Sequence, residues 1–434
     1  MQYTKKIETR HKVDVFVAGA GPAGIAAAIT AARHGKTVFL AENNGCFGGL
    51  GTAGLVPAFC QFTDGERFLV GGVGREIRDL TLGPAVDYTA RFEAVNPERL
   101  KLVYDKLVTD EPNITFSFFT RLIDVAVSDG NVTAAILAAK SGIFAVEADI
   151  FIDCTGDGDL CDFAGADSEF GDEEGNAMPV TLCSIWADID SSKRSSVNFS
   201  QALEQAFADG VFSKEDRHIS GFFNPAPGHS VRNANIGHCY EVDGRDERSL
   251  TRAMMEGRAY MAEFKRFYSE YIGGQYENMH LCWTADMLGV RESRRIITDY
   301  MLCGADFKAR ASFDDEIGRY AYPVDIHAMK PTKEAFEEFR KEYEREMRYG
   351  VGESYGIPYR SLLPKKLENV LVAGRCIGTD RQMQASIRPM PGCYITGTAA
   401  GIAASMTSKK RSVRSIDIDR LKEAIRADFG KDTI

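Results

Sequence analysis

The sequence predicts an α/β fold: a three-layer domain on a parallel sheet with a β-meander, interrupted along the chain by an inserted α+β domain. Three observations carry this. Residues 13–19, VDVFVAG, are an apolar run of the kind that forms a strand buried on both faces, and residues 22–35, PAGIAAAITAARHG, follow as an alanine-rich helix closed by Gly35. The same pairing returns near the other end, where a strand-like 369–375, NVLVAGR, precedes a helix of small residues at 392–406. From about residue 168 the pattern between them breaks into irregular Pro, Gly and His stretches alternating with long amphipathic segments. The expected division is 1–167 and 357–434 for the two parts of one domain, and 168–356 for the insert.

The first strand and helix are joined by Gly19, Gly21 and Gly24, a G-x-G-x-x-G spacing with Pro22 and Ala23 inside it. In such a turn the first glycine permits the tight bend, the second lets a pyrophosphate approach the backbone, and the third lets helix and strand pack closely. The helix N-terminus then faces the phosphates. A second strand, 37–41 TVFLA, completes a βαβ unit, and Glu42 at its end lies 18 residues beyond Gly24, placed to accept hydrogen bonds from a ribose diol. The glycine spacing alone arises by chance, but strand, helix and acid together predict a dinucleotide site. After a Gly-rich loop from Gly45 to Gly54 come a helix at 97–109 and extended segments at 114–127, containing Leu122, and 132–139, which read as the meander. A buried strand, 148–154 ADIFIDC, leads into Thr155, Gly156, Asp157, Gly158 and Asp159. In the insert, helices are expected at 248–272 and 331–348, with Met and aromatic residues at helical spacing that signal core packing rather than a cofactor box.

At 434 residues the chain has room for two or three domains, and 44% hydrophobic with 26% charged residues is the balance of an ordered globular protein. The net charge of −10 leaves no basic field for a nucleic-acid backbone. No stretch approaches the roughly 18 apolar residues of a membrane span. The N-terminal MQYTKKIETRHKVDVFVAGAG has no apolar run before the first strand, so a secretory signal is not expected and the compartment reads as cytoplasmic. Ten scattered cysteines form no C-x-x-C pair, so neither a zinc ribbon nor a thioredoxin-like pair is predicted, and no metal is expected. A homodimer is the default for a soluble oligomer.

The stretch ENNGCFGGLGTAGLVP after the second strand, with Asn43, the glycine pair Gly48-Gly49 and Thr52, resembles the start of the glutathione-reductase-like class of flavoproteins. Residues 150–166 (IFIDCTGDGDLCDFAGA), 289–296 (GVRESRRI), 357–375 (IPYRSLLPKKLENVLVAGR) and 388–404 (RPMPGCYITGTAAGIAA) resemble segments of the FAD-dependent oxidoreductases, relatives of fumarate-reductase-type and thiazole-synthesis-type proteins. The resemblance spans residues 13 to 405. It implies an FAD-binding Rossmann-like domain over an inserted substrate domain, and hydride transfer between FAD and a small organic substrate. It also implies FAD contacts from Gly19, Gly21, Pro22, Ala23 and Gly24, from Glu42, Asn43, Gly48, Gly49 and Thr52, and from Leu122, Thr155, Gly156 and Asp157. Gly374, Arg375, Pro391, Gly392 and Ile395 complete the set, with the helix from 392 beginning at the pyrimidine edge of the flavin. Only one fingerprint occurs, so a separate electron donor or acceptor is expected. The C-x4-C redox pair of disulfide reductases is missing, since Leu50-Gly51-Thr52-Ala53-Gly54 follows Gly49, and Cys46 reads as inert packing. A thiazole-synthesis-like enzyme and a non-catalytic FAD-binding accessory protein remain alternatives.

Since a flavin performs the redox chemistry, the protein must orient the substrate, balance its charge and move a proton. Arg291, Arg294 and Arg295 cluster beside Glu292, and Arg360 and Arg388 lie in the matching blocks; one or two of these arginines would clamp a carboxylate. Arg388 leads because it immediately precedes the flavin helix. His229 and His327, with His238, sit in the insert among Gly, Pro and Tyr, as a substrate loop requires, and Tyr322, Tyr355 and Tyr359 are comparable proton donors.

Overall fold

The computed structural model describes residues 4, 6–226, 228–407 and 412–430. Strand β1 (Glu8–Ala18), helix α1 (Pro22–Arg33) and strand β2 (Val38–Ala41) form the expected βαβ unit, with Val15 opposite Val38 and Ala18 opposite Ala41 in a parallel ladder. Helix α2 (Pro97–Thr109) starts where Asn96 accepts hydrogen bonds from the amides of Glu98 and Arg99. Strand β3 (Ile114–Ser117) then extends the parallel sheet beside β2. Strands β4 (Arg121–Ser128), β5 (Asn131–Ala139) and β6 (Gly142–Asp153) are the antiparallel meander. The strand expected at 148–154 begins earlier, at Gly142, because β6 pairs in parallel with β1 from Phe144 to Asp153 while its first residues also pair antiparallel with β5.

The middle of the chain builds a second sheet from β7 (Ser184–Ala187), β8 (Phe222–Phe223) and β9 (Arg232–Ala234), followed by helix α3 (Glu247–Arg266) and strand β10 (His280–Thr284). Its order is β8-β9-β7-β10, all antiparallel. This sheet and α3 enclose a second hydrophobic core in which Trp186, Phe264, Phe267 and Tyr268 are buried. The second core draws on Leu55 and on residues between Val180 and Val290, whereas Ile296, Leu302, Phe307, Ile317 and Tyr355 return to the first core. The division between cores thus falls inside the 168–356 segment rather than at its ends. The helix expected at 331–348 is shorter: α4 (Lys333–Lys341) gives way to a wider π-helical turn, Glu342–Glu346, and neither contains a buried residue. Its aromatic residues Phe336, Phe339 and Tyr343 line a cavity instead of filling a core.

The chain then returns as β11 (Val370–Val372), parallel to the last residues of β6, and continues through α5 (Met390–Ser405) to α6 (Ile418–Phe429). The first sheet has the order β3-β2-β1-β6-β5-β4, with β11 beside β6. Helix α5 is buried from Met390 to Ala404, which is why its sequence is apolar all round rather than amphipathic. It lies directly on α1: a Cβ at Gly397 would stand 2.2 Å from Ala23 O, and one at Gly401 2.5 Å from Ala27 O. Only glycine at these positions lets the two helices approach so closely, and that approach brings the starts of both to one side of the sheet.

Candidate active site

The turn between β1 and α1 separates the duties of its glycines. Gly19 turns at φ +85° against Cys154, and a Cβ at Gly24 would stand 1.8 Å from Gly19 O, so both are demanded by the packing of the chain itself. A Cβ at Gly21 would meet nothing within 4 Å. Gly21 faces open space at the start of α1, where Pro22 opens the helix and no side chain caps it. Gly48 and Gly49 fold back over this turn, with Gly48 N donating to Ala20 O at 2.8 Å, and buried Thr52 holds the loop by donating its hydroxyl to Phe47 O. Glu42 is buried at the end of β2; its Oε2 accepts from Ala20 N at 2.8 Å and its Oε1 from both Asn44 N and Nδ2. The carboxylate therefore fastens the glycine turn to β2, while Asn43 is exposed and Leu122 is half-buried in β4 opposite Leu137.

At the end of β6, Asp153 is fully buried and accepts from Thr155 N, Thr155 Oγ1 and Cys161 N, which shapes the loop of Thr155, Gly156 and Asp157. Sequence reading does not single it out, although an acid closing a buried strand is a signal of this kind. Arg375 fastens the same loop to the C-terminal strand. Its Nε donates to Gly156 O, its Nη1 to Val290 O and its Nη2 to Asp157 Oδ1 at 2.6 Å. Gly374 N donates to Thr396 Oγ1, and Pro391, Gly392 and Ile395 are buried in the first turns of α5.

A cavity of about 850 Å³ lies between the start of α5 and the second core, with Arg291, Arg388, His218, His327, Tyr322 and Asn235 in its walls. The three arginines of the 291–295 cluster part company here. Arg294 pairs with Asp159 and Asp162, and Arg295 with Glu292 and Glu169. Buried Arg291 rests on uncharged acceptors, Pro179 O at 2.8 Å and Asn235 Oδ1 at 3.3 Å, and burial together with nearby Arg388 brings its pKa down to about 10. Arg388 donates from Nη2 to Asp325 Oδ2 at 3.0 Å, but its Nε is buried with no hydrogen-bond partner among the described residues. The other candidates lie elsewhere. Arg360 forms a half-exposed ion pair with Asp315 over the ring of Tyr300, and His229 is exposed. Tyr355 and Tyr359 are buried on Ser386 and Val413 O, and neither they nor Arg360 nor His229 lines this cavity.

Behind the arginines runs a continuous polar chain. His238 Nδ1 meets Asp216 Oδ1 at 3.1 Å, His238 Nε2 meets His327 Nδ1 at 2.9 Å, and His327 Nε2 meets Asp325 Oδ2 at 3.4 Å. His218 stacks on His238 with ring centroids 4.5 Å apart, and the hydroxyls of Tyr240 and Tyr322 donate to Asp216 and Asp325. Burial lowers the pKa of His218 well below its usual value, and burial with the charge of Arg291 pushes that of His327 down to about 3. Burial opposes the charge of Asp325, yet His327, Arg388 and Arg291 hold it well below the usual carboxylate range. Sequence reading passes over His218, Asp216 and Asp325, although Asp216 stands two residues before His218 and Asp325 two before His327; only the fold brings these two Asp-x-His segments together with His238.

The FAD dependent oxidoreductase family model matches residues 14–425. The chain belongs to this family. It is an FAD-dependent oxidoreductase, and FAD is its cofactor. No curated protein matches the chain. Among solved structures, a geranylgeranyl bacteriochlorophyll reductase-like protein from Thermoplasma acidophilum is 12% identical, covers 98% of this chain and 85% of its own, and has a TM-score of 0.45. A p-nitrophenol 4-monooxygenase from Pseudomonas putida DLL-E4 is 11% identical, with 97% and 81% covered and a TM-score of 0.38. Among the described residues, none of the helices of this oxidoreductase is long and apolar enough to cross a membrane.

Proposed function

We propose that the protein transfers hydride between FAD and a small organic substrate bearing a carboxylate, which Arg291 and Arg388 hold in the cavity. The observation that carries this is the pair of guanidiniums in the cavity wall, one resting on uncharged acceptors and the other with a buried, unpartnered Nε. A charge-assisted hydrogen bond from a guanidinium to a carboxylate contributes on the order of 1.5–3 kcal/mol.

The residues present fit FAD. The open side of Gly21 and the uncapped start of α1 would receive its pyrophosphate, since a side chain at Gly21 would occupy that space. Gly48 and Gly49 would lie over it, Glu42 would fasten the turn, and Arg375 would hold the loop of Thr155, Gly156 and Asp157 in place. FAD supplies the two-electron chemistry when bound. The start of α5 borders the cavity through Pro389 and Met390, so its positive end would favour negative charge there. Protons would pass through the buried polar cluster of Tyr322, Asp325 and His327. The electrons come from or go to a separate partner, because the chain carries one dinucleotide fingerprint.

The test is to load the protein with FAD, screen small carboxylates for shifts in the flavin spectrum and for anaerobic bleaching, and repeat with Arg388→Ala and Arg291→Ala. Each replacement is expected to weaken carboxylate binding by roughly 10- to 100-fold, the loss of a charge-assisted hydrogen bond. Unchanged affinity in both variants would overturn the assignment.

A further inference from the structure

The histidine cluster poses a question of proton placement. The outer nitrogen of His238 faces Asp216 and the outer nitrogen of His327 faces Asp325, at 3.1 and 3.4 Å. A carboxylate accepts hydrogen bonds, so each outer nitrogen carries its ring's N–H. The inner nitrogens, His238 Nε2 and His327 Nδ1, are then left with lone pairs directed at one another across 2.9 Å. Two lone pairs at that separation repel unless a cation lies between them, either a proton or a metal ion. The third ring decides between these: one nitrogen of each of His218, His238 and His327 lies within 4.8 Å of the others. A proton satisfies two nitrogens, whereas a metal ion satisfies three.

We propose that His218, His238 and His327 form a site for a divalent first-row transition ion at the wall of the substrate cavity. Three imidazoles without a thiolate suit Zn2+, Fe2+ or Co2+, and three protein ligands leave a coordination position for an exogenous group. The two carboxylates stand where metal-binding histidines ordinarily find them, on the ring nitrogen away from the ion, where they fix the tautomer and raise ligand basicity. Nitrogen ligands at Zn2+ distance sit about 3.3 Å apart in a tetrahedron, so the His238–His327 pair, now at 2.9 Å, opens by a few tenths of an ångström, while the nitrogen of His218, within 4.8 Å of the others, closes by up to about 1.5 Å. Charge supports a link with the cavity. Asp216 and Asp325 offset Arg291 and Arg388, leaving the charge of the ion to be met by an anion beside it. His218 and His327 both reach the cavity wall, so that anion is the carboxylate of the substrate. This last step rests on the carboxylate reading above; the ion site itself does not.

The experiment uses the FAD-loaded protein, stripped with a chelator and equilibrated by dialysis against Zn2+, with bound zinc measured by mass spectrometry and FAD content as the check on folding. One Zn2+ per chain at a micromolar dissociation constant or tighter is expected. Binding is lost in His218→Ala and His327→Ala, and in His238→Gln, which keeps a polar side chain of similar reach. Asp216→Asn is expected to weaken it by about 10- to 100-fold, the usual effect of removing such an outer partner. His280→Ala, at an exposed histidine on β10, leaves it unchanged. A small carboxylate tightens Zn2+ binding in the wild type and not in Arg388→Ala. Failure of that coupling alone would count against the carboxylate reading and leave the ion site standing. No zinc in the FAD-loaded wild type, or equal zinc in the histidine variants, would overturn the site and leave a shared proton as the occupant.

Discussion

A methyl group added at Gly24 and one added at Gly21 meet opposite surroundings. At Gly24 it would be driven to 1.8 Å from Gly19 O, while at Gly21 it would enter open space. The first substitution strains the chain against itself and the second obstructs only what binds there. Gly24→Ala is therefore expected to cost about 1–3 kcal/mol of folding stability even without FAD, the usual range for overpacking. Gly21→Ala should leave the melting temperature of the FAD-free protein within about 1 °C, since surface-like changes sit near ±0.5 kcal/mol, yet sharply weaken FAD binding. Thermal melts with flavin fluorescence titrations separate the two; equal FAD affinity in wild type and Gly21→Ala would count against the cradle.

Helix α1 is held at both ends by contacts between elements. At its start it lies on α5, and at its end His34 meets Asp428 of α6 at 3.3 Å, with both side chains 29% exposed. The hydrogen bond to Asp428 raises the pKa of His34 above its usual value, outweighing burial. A histidine whose folded pKa is raised adds stability below its unfolded pKa, near 6.5, and loses it as the pH rises through the folded value. Position at the end of α1 adds to this, because the helix C-terminus favours a cation. The melting temperature of wild type should therefore exceed that of His34→Ala at about pH 5.5, by no more than a partly exposed pair of up to about 1 kcal/mol allows, with the difference gone by about pH 8.5. Asp428→Asn should show the same loss at low pH. A difference that grows towards alkaline pH would contradict the pairing.

At the scale of the molecule, one chain serves two hydrophobic cores, and the cavity lies where they meet. Its walls come from Thr181, Cys183 and Asn235 on the second-core side and from Arg375, Arg388 and Met390 on the other. The glycine cradle belongs to the first core alone. FAD at a hundred-fold excess over its dissociation constant stabilises the state that binds it by about 2.7 kcal/mol, which for a chain of this length moves the melting temperature by roughly 3 °C. Calorimetry should show this shift in the transition of the first core; if the two cores melt separately, the second-core transition should not move. A shift confined to the second core would place the cofactor wrongly.

The sequence by itself determined whatever depends on neighbours along the chain. The βαβ unit, the glycine turn at Gly19, Gly21 and Gly24, the meander, and the pairing of β11 with a helix of small residues all follow from short-range pattern, because backbone conformation and face-by-face burial are local properties. It also placed Arg388 beside the start of α5, where the structure has it. Only the tertiary structure decided among chemically equal residues. Arg291, Arg294 and Arg295 read alike in sequence, yet Arg294 is neutralised by Asp159 and Asp162 from another segment, Arg295 by neighbouring Glu292 and distant Glu169, and Arg291 is left facing the cavity. His229 and His327 read alike too, but only His327 joins His218 and His238, which arrive from different segments. The reason is physical: what a charged or titratable group can do is set by burial and by through-space partners, and for Arg388 and His238 those partners are tens of residues away along the chain.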